Sequence, residues 1–246
     1  MTGQDKQAEQ DKRTGRLIVF EGADGCGKTT QLRHCYDWLR AQRFPQAPDS
    51  SQIILTQEPG ATALGRTLRR ILLTPPEGDE GVEPTAELLL YAADRAQHVQ
   101  HILKPKLAQG CWILCDRHID STVAYQGFGR GLDQSLIQQL NSIATVGLVS
   151  DLTLWLDLPV EVSRSRLATR GQADGLRSAP QDRMERLGLD FHHRVHQGFE
   201  WLAGQYPERI VRVDASGSEA EVARRVQQMI CDRLGLPPNS PHPNPT

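Results

Sequence analysis

A glycine-rich loop at residues 22–29, Gly-Ala-Asp-Gly-Cys-Gly-Lys-Thr, most limits what this chain can fold into. Its spacing is G-x-x-x-x-G-K-[ST], in which backbone N–H groups surround the phosphates of a nucleotide. The apolar residues 17–20 before it predict a buried strand, and residues 30–32 begin a helical pattern whose positive end would face the anion. In this pattern Lys28 would neutralise phosphate oxygens and Thr29 would bind Mg²⁺. The loop therefore predicts a nucleoside triphosphate site on a strand–loop–helix unit.

The length of 246 residues fits one α/β domain or, less readily, two small ones. The net charge of -2 argues against nucleic acid or an anionic membrane as the main partner. No apolar run approaches the ~18 residues that a membrane-spanning helix needs. Residues 1–15 are polar and lack the apolar core of a signal peptide. We therefore expect a cytoplasmic enzyme.

The cysteines and histidines show no metal-binding spacing. None of the five cysteines forms a C-x-x-C pair. Cys26 lies inside the glycine-rich loop, where the helix end could acidify its thiol, but a small filler side chain is the simpler interpretation. His98 and His101 lie three residues apart without a third ligand, so we expect both to be solvated.

Apolar periodicity predicts strands that alternate with helices along the chain. The predicted strands are residues 16–21, 52–56, 111–115, 151–157 and 209–213. The predicted helices are residues 29–43, 63–73, 85–109 with an interruption near 104–105, 132–146, 160–170, 189–206 and 218–234. This alternation predicts an α/β fold with a five-stranded parallel sheet and helices on both faces.

The predicted domain covers residues 16–234. We expect the polar residues 1–15 and the proline-rich residues 235–246 to be disordered tails. Residues 171–188 have little apolar content and are predicted to form a mobile loop. Phosphoryl transfer needs positive charge over the moving phosphate, so an arginine-rich lid is one interpretation of this region and a solvated charged face is the other. The arginines concerned are Arg164, Arg166, Arg170, Arg177, Arg183 and Arg186.

Polar residues that follow parallel strands should share one cleft, because ligands bind at the carboxyl ends of such strands. Asp116 could hold the shell of Mg²⁺ through water and Arg117 could bind a second phosphate, although a surface ion pair also explains them. Glu58 could be a site residue or a simple turn carboxylate. Tyr91 and Arg95 share one helical face, so the ring could stack on a nucleotide base while the guanidinium donates to a carbonyl of that base. The alternative is that Tyr91 packs in the core and Arg95 forms a salt bridge.

Taken together, these stretches resemble those of the thymidylate kinases, which phosphorylate dTMP. The resemblance covers residues 17–234. It rests on F-E-G-x-D-G-x-G-K-T-T at 20–30, E-P-G at 58–60, Y-A-A-D-R-A-Q-H at 91–98, D-R at 116–117, S-T-V-A-Y-Q at 121–126 and D-R-M-E at 182–185. The blocks at 91–98 and 121–126 indicate dTMP rather than another monophosphate. The resemblance implies a P-loop NTPase fold, Mg²⁺ with ATP as co-substrate, and a homodimer formed through helices beside the acceptor site.

The resemblance also implies roles for individual residues. Catalytic roles fall to Lys28, Asp24, Arg117 and Arg183. The ATP site comprises Gly22, Ala23, Asp24, Gly25, Cys26, Gly27, Lys28, Thr29 and Thr30, with Arg166 near adenine. The dTMP site comprises Glu58, Arg69, Tyr91, Arg95, Arg117, Thr122, Tyr125 and Gln126; Tyr91 stacks on thymine, Arg95 donates to a thymine carbonyl and Arg117 binds the phosphate. Thr29 and Asp116 serve the metal.

The position of the catalytic arginine distinguishes two types within this family. The interior of the loop here contains no arginine, so the cation must come from the lid, which resembles the bacterial type. Arg183 is the expected residue. Because the lid is longer than usual, Arg177 is a second candidate for the same role.

A few positions depart from the family pattern. Gln57 and Ala61 stand where an arginine and a second glycine flank the E-P-G stretch, which puts the acceptor-phosphate contacts in question. His118 replaces the commoner tyrosine after Asp116 and Arg117. Two alternatives remain: a kinase for another nucleoside monophosphate or for a deoxynucleoside, and a non-catalytic P-loop module that only binds nucleotide.

Overall fold

The computed structural model describes residues 15–42, 44, 47–49, 52–74, 81–173 and 183–237. They form a five-stranded sheet in the order β2-β3-β1-β4-β5, in which all neighbouring strands are parallel. The strands are β1 (Arg16–Glu21), β2 (Ile53–Gln57), β3 (Trp112–Asp116), β4 (Leu152–Asp157) and β5 (Ile210–Asp214). The predicted α/β fold is confirmed, and every strand lies within one residue of its predicted bounds.

Helices connect the strands and cover both faces of the sheet. They are α1 (Lys28–Ala41), α2 (Ala63–Leu73), α3 (Pro84–His98), α4 (Lys104–Ala108), α5 (Ile119–Thr122), α6 (Gln134–Thr145), α7 (Val160–Ala173), α8 (Leu189–Gln205) and α9 (Glu219–Leu234). A π-helical segment, Val99–Leu103, joins α3 to α4, and a second, Val123–Gly129, continues α5. Within the described residues, no helix has both the length and the apolar character needed to cross a bilayer.

The alternation of β1 side chains shows why the sheet is covered on both faces. Ile18 and Phe20 pack with apolar residues of α1 and α9 in one cluster. Leu17 and Val19 pack on the opposite face with Val99 and other residues of the α3–α4 region. Since successive side chains of a strand point to opposite faces, a continuous apolar run is the expected sequence of a central strand between two helical layers.

The interruption in the long helix lies earlier than predicted. The sequence places it at residues 104–105, but the irregular turn is Val99–Leu103, and Pro105 lies in the first turn of α4. A proline in a continuous helix would clash with the carbonyl four residues before it, whereas proline is well tolerated in a first turn. The wider π-helical segment therefore absorbs the irregularity before the proline is reached.

Residues 119–129, to which the sequence analysis assigned no element, are helical in the structure. Their π-helical part packs against α8, where a Cβ atom on Gly198 would lie 2.9 Å from the Cα atom of Ala124. Tertiary packing against a small residue thus holds a glycine-containing segment that local propensity would not make helical.

The predicted lid and tails overlap only in part with the described residues. Helix α7 continues to Ala173, so residues 171–173, which were predicted to belong to the loop, extend the helix instead. Past the predicted domain end at residue 234, Gly235 caps α9 and Leu236 is buried against the first cluster. Residues 1–14, 174–182 and 238–246, which include Arg177, lie outside the described residues.

Candidate active site

A pocket of about 650 Å³ opens at the carboxyl ends of β1, β2 and β3. This is the place where α/β sheets bind ligands, and the volume falls within the range of small-molecule sites. Its lining contains most of the residues that the sequence predicted for the site: Asp24, Gly25, Cys26, Gly27, Lys28, Thr29, Thr30, Glu58, Arg69, Tyr91, Arg95, Asp116, Arg117, Thr122, Tyr125, Gln126 and Arg166. Four of these are arginine and one is lysine, against three carboxylates, so these residues carry a net positive charge that suits an anionic ligand.

The glycine-rich loop wraps around the side chain of Lys28. Its Nζ donates to the carbonyl oxygens of Gly22, at 3.0 Å, and Ala23, at 2.8 Å. Gly22 and Ala23 thus lie behind the pocket and hold the lysine through their backbone. Gly27 begins α1 with a φ of 95°, and no side chain among the described residues caps that helix end. The first amides of α1 and the lysine therefore present positive charge to the same space.

Thr29 and Asp116 meet where α1 begins and β3 ends. The Oγ1 atom of Thr29 donates a 2.9 Å hydrogen bond to Oδ2 of Asp116, and both residues line the pocket. A hydroxyl and a carboxylate oxygen are the donors that Mg²⁺ prefers, and Mg²⁺ in nucleotide sites takes few protein ligands because phosphates and water supply the others. This donor pair fits that metal.

Arg117 is the central cation of the pocket. Its φ is 69°, a left-handed conformation that is unusual for a side chain of this size. Its guanidinium pairs with Asp24 and also donates to the carbonyl of Gly22, at 3.1 Å, and the hydroxyl of Tyr125, at 3.1 Å. Burial opposes ionisation of Asp24, but the charges of Arg117 and Lys28 outweigh it and hold the pKa of that carboxyl well below its usual range. These contacts hold the guanidinium of Arg117 between the phosphate loop and the hydroxyl of Tyr125.

A buried cluster around Glu58 forms the floor of the pocket on the side of β2. Glu58 accepts from Nε of Arg95, at 2.9 Å, and lies 2.8 Å from Nδ1 of His98 and 3.0 Å from Nδ1 of His118. Burial opposes ionisation, yet the charges of His118 and Arg95 hold the pKa of Glu58 well below its usual range. His98 is fully buried and its second ring nitrogen lies 2.7 Å from Oγ1 of Thr56, so the expectation of a solvated histidine was wrong.

Tyr91, Thr122 and Gln126 line the same side of the pocket. Tyr91 is half-buried, whereas Thr122 and Gln126 are buried. The amide of Gln126 donates to Glu87 at 2.8 Å, and Arg95 donates to Oγ1 of Thr122 at 2.9 Å. This side of the pocket therefore offers one aromatic face beside firmly held polar groups, the combination that suits a flat heterocycle.

Known proteins resemble this chain over most of its length. The family model described as thymidylate kinase matches residues 20–226. The chain belongs to the thymidylate kinase family. It is 52% identical over 224 residues to a thymidylate kinase of Nostoc punctiforme, covering 91% of this chain and 99% of that protein. It is 55% identical over 190 residues to a thymidylate kinase of Prochlorococcus marinus, covering 77% of this chain and 82% of that protein. The crystal structure of the thymidylate kinase from Ehrlichia chaffeensis superimposes with a TM-score of 0.69 at 30% identity, covering 88% of this chain and 98% of that one.

Arg183 lies apart from the other predicted site residues of this family member. Its guanidinium pairs with the buried Glu87 and donates to the carbonyl of Leu72 at 3.0 Å, and it does not line the pocket. Glu87 also pairs with Arg130 at 2.9 Å. The structure therefore does not bring Arg183 to the phosphate loop, and its catalytic role stays a prediction.

Sequence reasoning passed over two buried carboxylates beside the pocket, Glu21 and Glu87. Glu87 joins Gln126 to Arg130 and Arg183, and Glu21 lies beneath the turn that carries Arg117. In the sequence, Glu21 is noticeable only as part of the F-E-G stretch, and Glu87 is one charged residue near the start of a predicted helix. The available signal was a carboxylate at the end of an otherwise apolar strand, because a buried charge needs partners.

Proposed function

We propose that this chain transfers the γ-phosphoryl group of ATP to dTMP and so produces ADP and dTDP, with Mg²⁺ as the metal. One observation carries this proposal. A single pocket contains the phosphate loop at one side and the Tyr91–Arg95 face at the other, with Arg117 between them. Two nucleotides bound in this pocket would meet through their phosphates.

The donor side holds the phosphates of ATP. Residues 24–30 would supply backbone amides, and Lys28 would exchange its contacts with the carbonyls of Gly22 and Ala23 for phosphate oxygens. We assign Arg166, which lines the pocket from α7, to the adenine end. Thr29 and Asp116 would hold Mg²⁺, which when bound neutralises charge on the transferring phosphates.

The acceptor side orients dTMP. We assign its phosphate to Arg117, with Asp24 and Tyr125 holding that guanidinium and Glu58 and Arg69 supporting the wall of the pocket. The ring of Tyr91 would stack on thymine. Arginine has five N–H groups, and among the described residues Arg95 finds acceptors for four of them, which leaves one for a thymine carbonyl. Thr122 and Gln126 complete the contact with base and sugar.

The reaction needs no covalent enzyme intermediate. The phosphate of dTMP is already ionised and acts as the nucleophile, so the rate derives from positioning and from positive charge around the transferring group. Lys28 and Arg117 provide fixed charge on either side. A lid arginine would add further positive charge around the transferring phosphate. For Arg183 to do so, its ion pair with Glu87 must break when the lid closes.

Assembly and location belong to the same proposal. We infer a homodimer formed beside the acceptor site, because α2 and α3 expose the large apolar side chains of Leu64 and Leu89, 47% and 51% exposed. We also infer a cytoplasmic enzyme. Sedimentation of the purified protein at micromolar concentration tests the dimer; a monomer would contradict it.

A panel of acceptors tests the proposed substrate. Purified protein is given ATP and Mg²⁺ with dTMP, dUMP, CMP or thymidine, and ADP release is measured for each. We expect the highest kcat/KM with dTMP. A preference for CMP or thymidine would identify another kinase, and no ADP release with any acceptor would indicate a module that only binds nucleotide.

A further inference from the structure

Glu21 is a buried carboxylate to which the proposed mechanism gives no role. It is the last residue of β1, directly before the phosphate loop, and its side chain has no exposed surface. Within the part of the chain that the structure describes, it forms no direct ion pair. Its oxygens instead accept three hydrogen bonds: from the backbone N–H of His118 at 2.8 Å, from that of Ser121 at 3.1 Å and from the hydroxyl of Ser121 at 2.6 Å.

The two backbone bonds fix the turn that follows β3. Both N–H groups donate to the same oxygen, Oε1, and they lie on either side of the start of α5. The residue before this turn is Arg117, with its left-handed φ of 69°. That conformation is unfavourable for arginine, so other interactions must stabilise the turn. The two backbone hydrogen bonds to the carboxylate of Glu21 provide this stabilisation.

The hydroxyl of Ser121 links Glu21 to the guanidinium itself. Nη1 of Arg117 lies 3.0 Å from Oγ of Ser121. Arginine can only donate, so Oγ accepts from Arg117 and the proton of Ser121 points to Oε2 of Glu21. The direction of both bonds in the chain Arg117–Ser121–Glu21 therefore requires an ionised carboxylate.

We propose that Glu21 is a positioning residue for the acceptor phosphate: its ionised carboxylate aligns Ser121 and the turn after β3, and thereby holds the guanidinium of Arg117 toward dTMP. This inference rests on the proposed role of Arg117. Glu21 itself touches no substrate.

The surroundings of Glu21 make this arrangement sensitive to pH. Burial, followed by the nearby charge of Asp120, raises the pKa of Glu21 to about 7, although Arg117 and the hydrogen bonds oppose the rise. The titratable and charged groups that face it are Asp120 of α5, Arg117 after β3, Cys115 of β3 and Arg209 before β5. When Glu21 is protonated, both it and Arg117 would donate to Oγ of Ser121, whose own proton then lacks that acceptor. The alignment is therefore complete above neutral pH and lost below it.

Glu21→Gln tests the inference, because glutamine keeps the size and the carbonyl acceptor but reverses the bond to Ser121. It imitates the protonated state. At about pH 8 we expect kcat/KM for dTMP to fall roughly 10- to 100-fold, mainly through KM, which is the effect of losing a charge-assisted hydrogen bond. The KM for ATP should stay within about twofold. Ser121→Ala, which removes the link and keeps the carboxylate, should change the same constant in the same direction.

The pH profile separates positioning from a purely structural role. The ratio of wild-type to Glu21→Gln kcat/KM cancels the titration of the substrates, which both enzymes share. We expect this ratio to fall toward one as the pH is lowered from about 8 to about 6, because the wild-type carboxylate takes up a proton. A ratio that is large but constant, or one near unity throughout, would overturn the inference.

Two controls keep this result distinct from other failures. Glu208→Gln changes a carboxylate that is almost fully exposed and should match the wild type at every pH. Thermal unfolding of Glu21→Gln reports whether the variant folds; if it does not, Ser121→Ala carries the test. If the wild-type protein makes no dTDP at all, the proposed function fails. If the wild type is active and the Glu21 and Ser121 variants have the same kcat/KM for dTMP, only the role of Glu21 is contradicted.

Discussion

Arg117 and Asp24 form an ion pair that joins the end of β3 to the phosphate loop. The pair is largely shielded, with side chains 16% and 23% exposed. We predict that Asp24→Asn lowers kcat/KM for dTMP by roughly 10- to 100-fold, because Arg117 loses the charge that orients it. Steady-state kinetics with both substrates checks this, with the exposed Asp232→Asn as control. Unchanged kinetics in Asp24→Asn would show that Arg117 needs no such anchor.

Thr29 and Asp116 give a prediction about the metal. Removal of Mg²⁺ with a chelator should abolish turnover, and Thr29→Ala should raise the Mg²⁺ concentration for half-maximal activity about 10-fold. The reason is that the alanine variant removes one oxygen of the pair that lines the pocket. Thr169→Ala, on the exposed face of α7, is the matched control. Equal Mg²⁺ dependence in the wild type and Thr29→Ala would contradict the assignment.

Glu58 and Arg95 give a prediction about stability. Glu58→Gln leaves the buried guanidinium of Arg95 without its counter-charge, which should lower the free energy of unfolding by about 3–5 kcal/mol at neutral pH. Since the folded pKa of Glu58 is depressed, the stabilisation is present above its ordinary value of about 4.5 and is lost as the pH falls through the folded pKa.

Urea unfolding between about pH 6 and pH 3 measures this dependence, because the loss begins near the ordinary pKa and continues toward the depressed one. The wild type should lose stability on acidification more steeply than Glu58→Gln, and the exposed Glu161→Gln should follow the wild type. Parallel curves for wild type and Glu58→Gln would refute the electrostatic account of this cluster.

The fold could be predicted from the sequence because its central strands are continuous apolar runs and its loop has a fixed spacing. β1 and α2 have their predicted bounds. The π-helical segment at residues 123–129 could not be predicted, since it forms where the chain packs closely against a neighbouring helix, as Ala124 does on Gly198. For the site, the spacing of the glycine-rich loop and the family resemblance together predicted seventeen of the residues that line the pocket. It could not identify the burial of His98 or the partner of Arg183, because both depend on carboxylates distant in sequence, Glu58 and Glu87.

Gly25 gives a prediction about the shape of the loop. Its φ is 84°, and a Cβ atom there would overlap the carbonyl oxygen of Ser163. Gly81 has a similar φ of 91°, and no atom of the described residues lies within 4 Å of such a Cβ, so Gly81→Ala reports the cost of the backbone conformation, about 1–2 kcal/mol. We expect Gly25→Ala to lower the unfolding temperature further and to weaken ATP binding. Equal effects of the two variants would show that the contact with Ser163 is unimportant.

Arg183 and Arg130 allow the role of the lid arginine to be tested with a matched pair. Both guanidinium groups pair with Glu87, but only Arg183 is predicted to act on the transferring phosphate. If it does, Arg183→Ala lowers kcat on the order of 10³-fold with ATP affinity nearly intact. Arg130→Ala removes the same kind of partner from Glu87 and should mainly affect stability. Similar kinetics in the two variants would limit Arg183 to a structural ion pair.

The transfer itself can be followed with ATP labelled at the γ-phosphate. In the presence of Mg²⁺ and dTMP, the account predicts that label appears in the β-phosphate of dTDP, in amounts equal to the ADP formed, and that Lys28→Ala abolishes the transfer. Label that remains in ATP, or that appears only as inorganic phosphate, would contradict the claim that two nucleotides meet in this pocket.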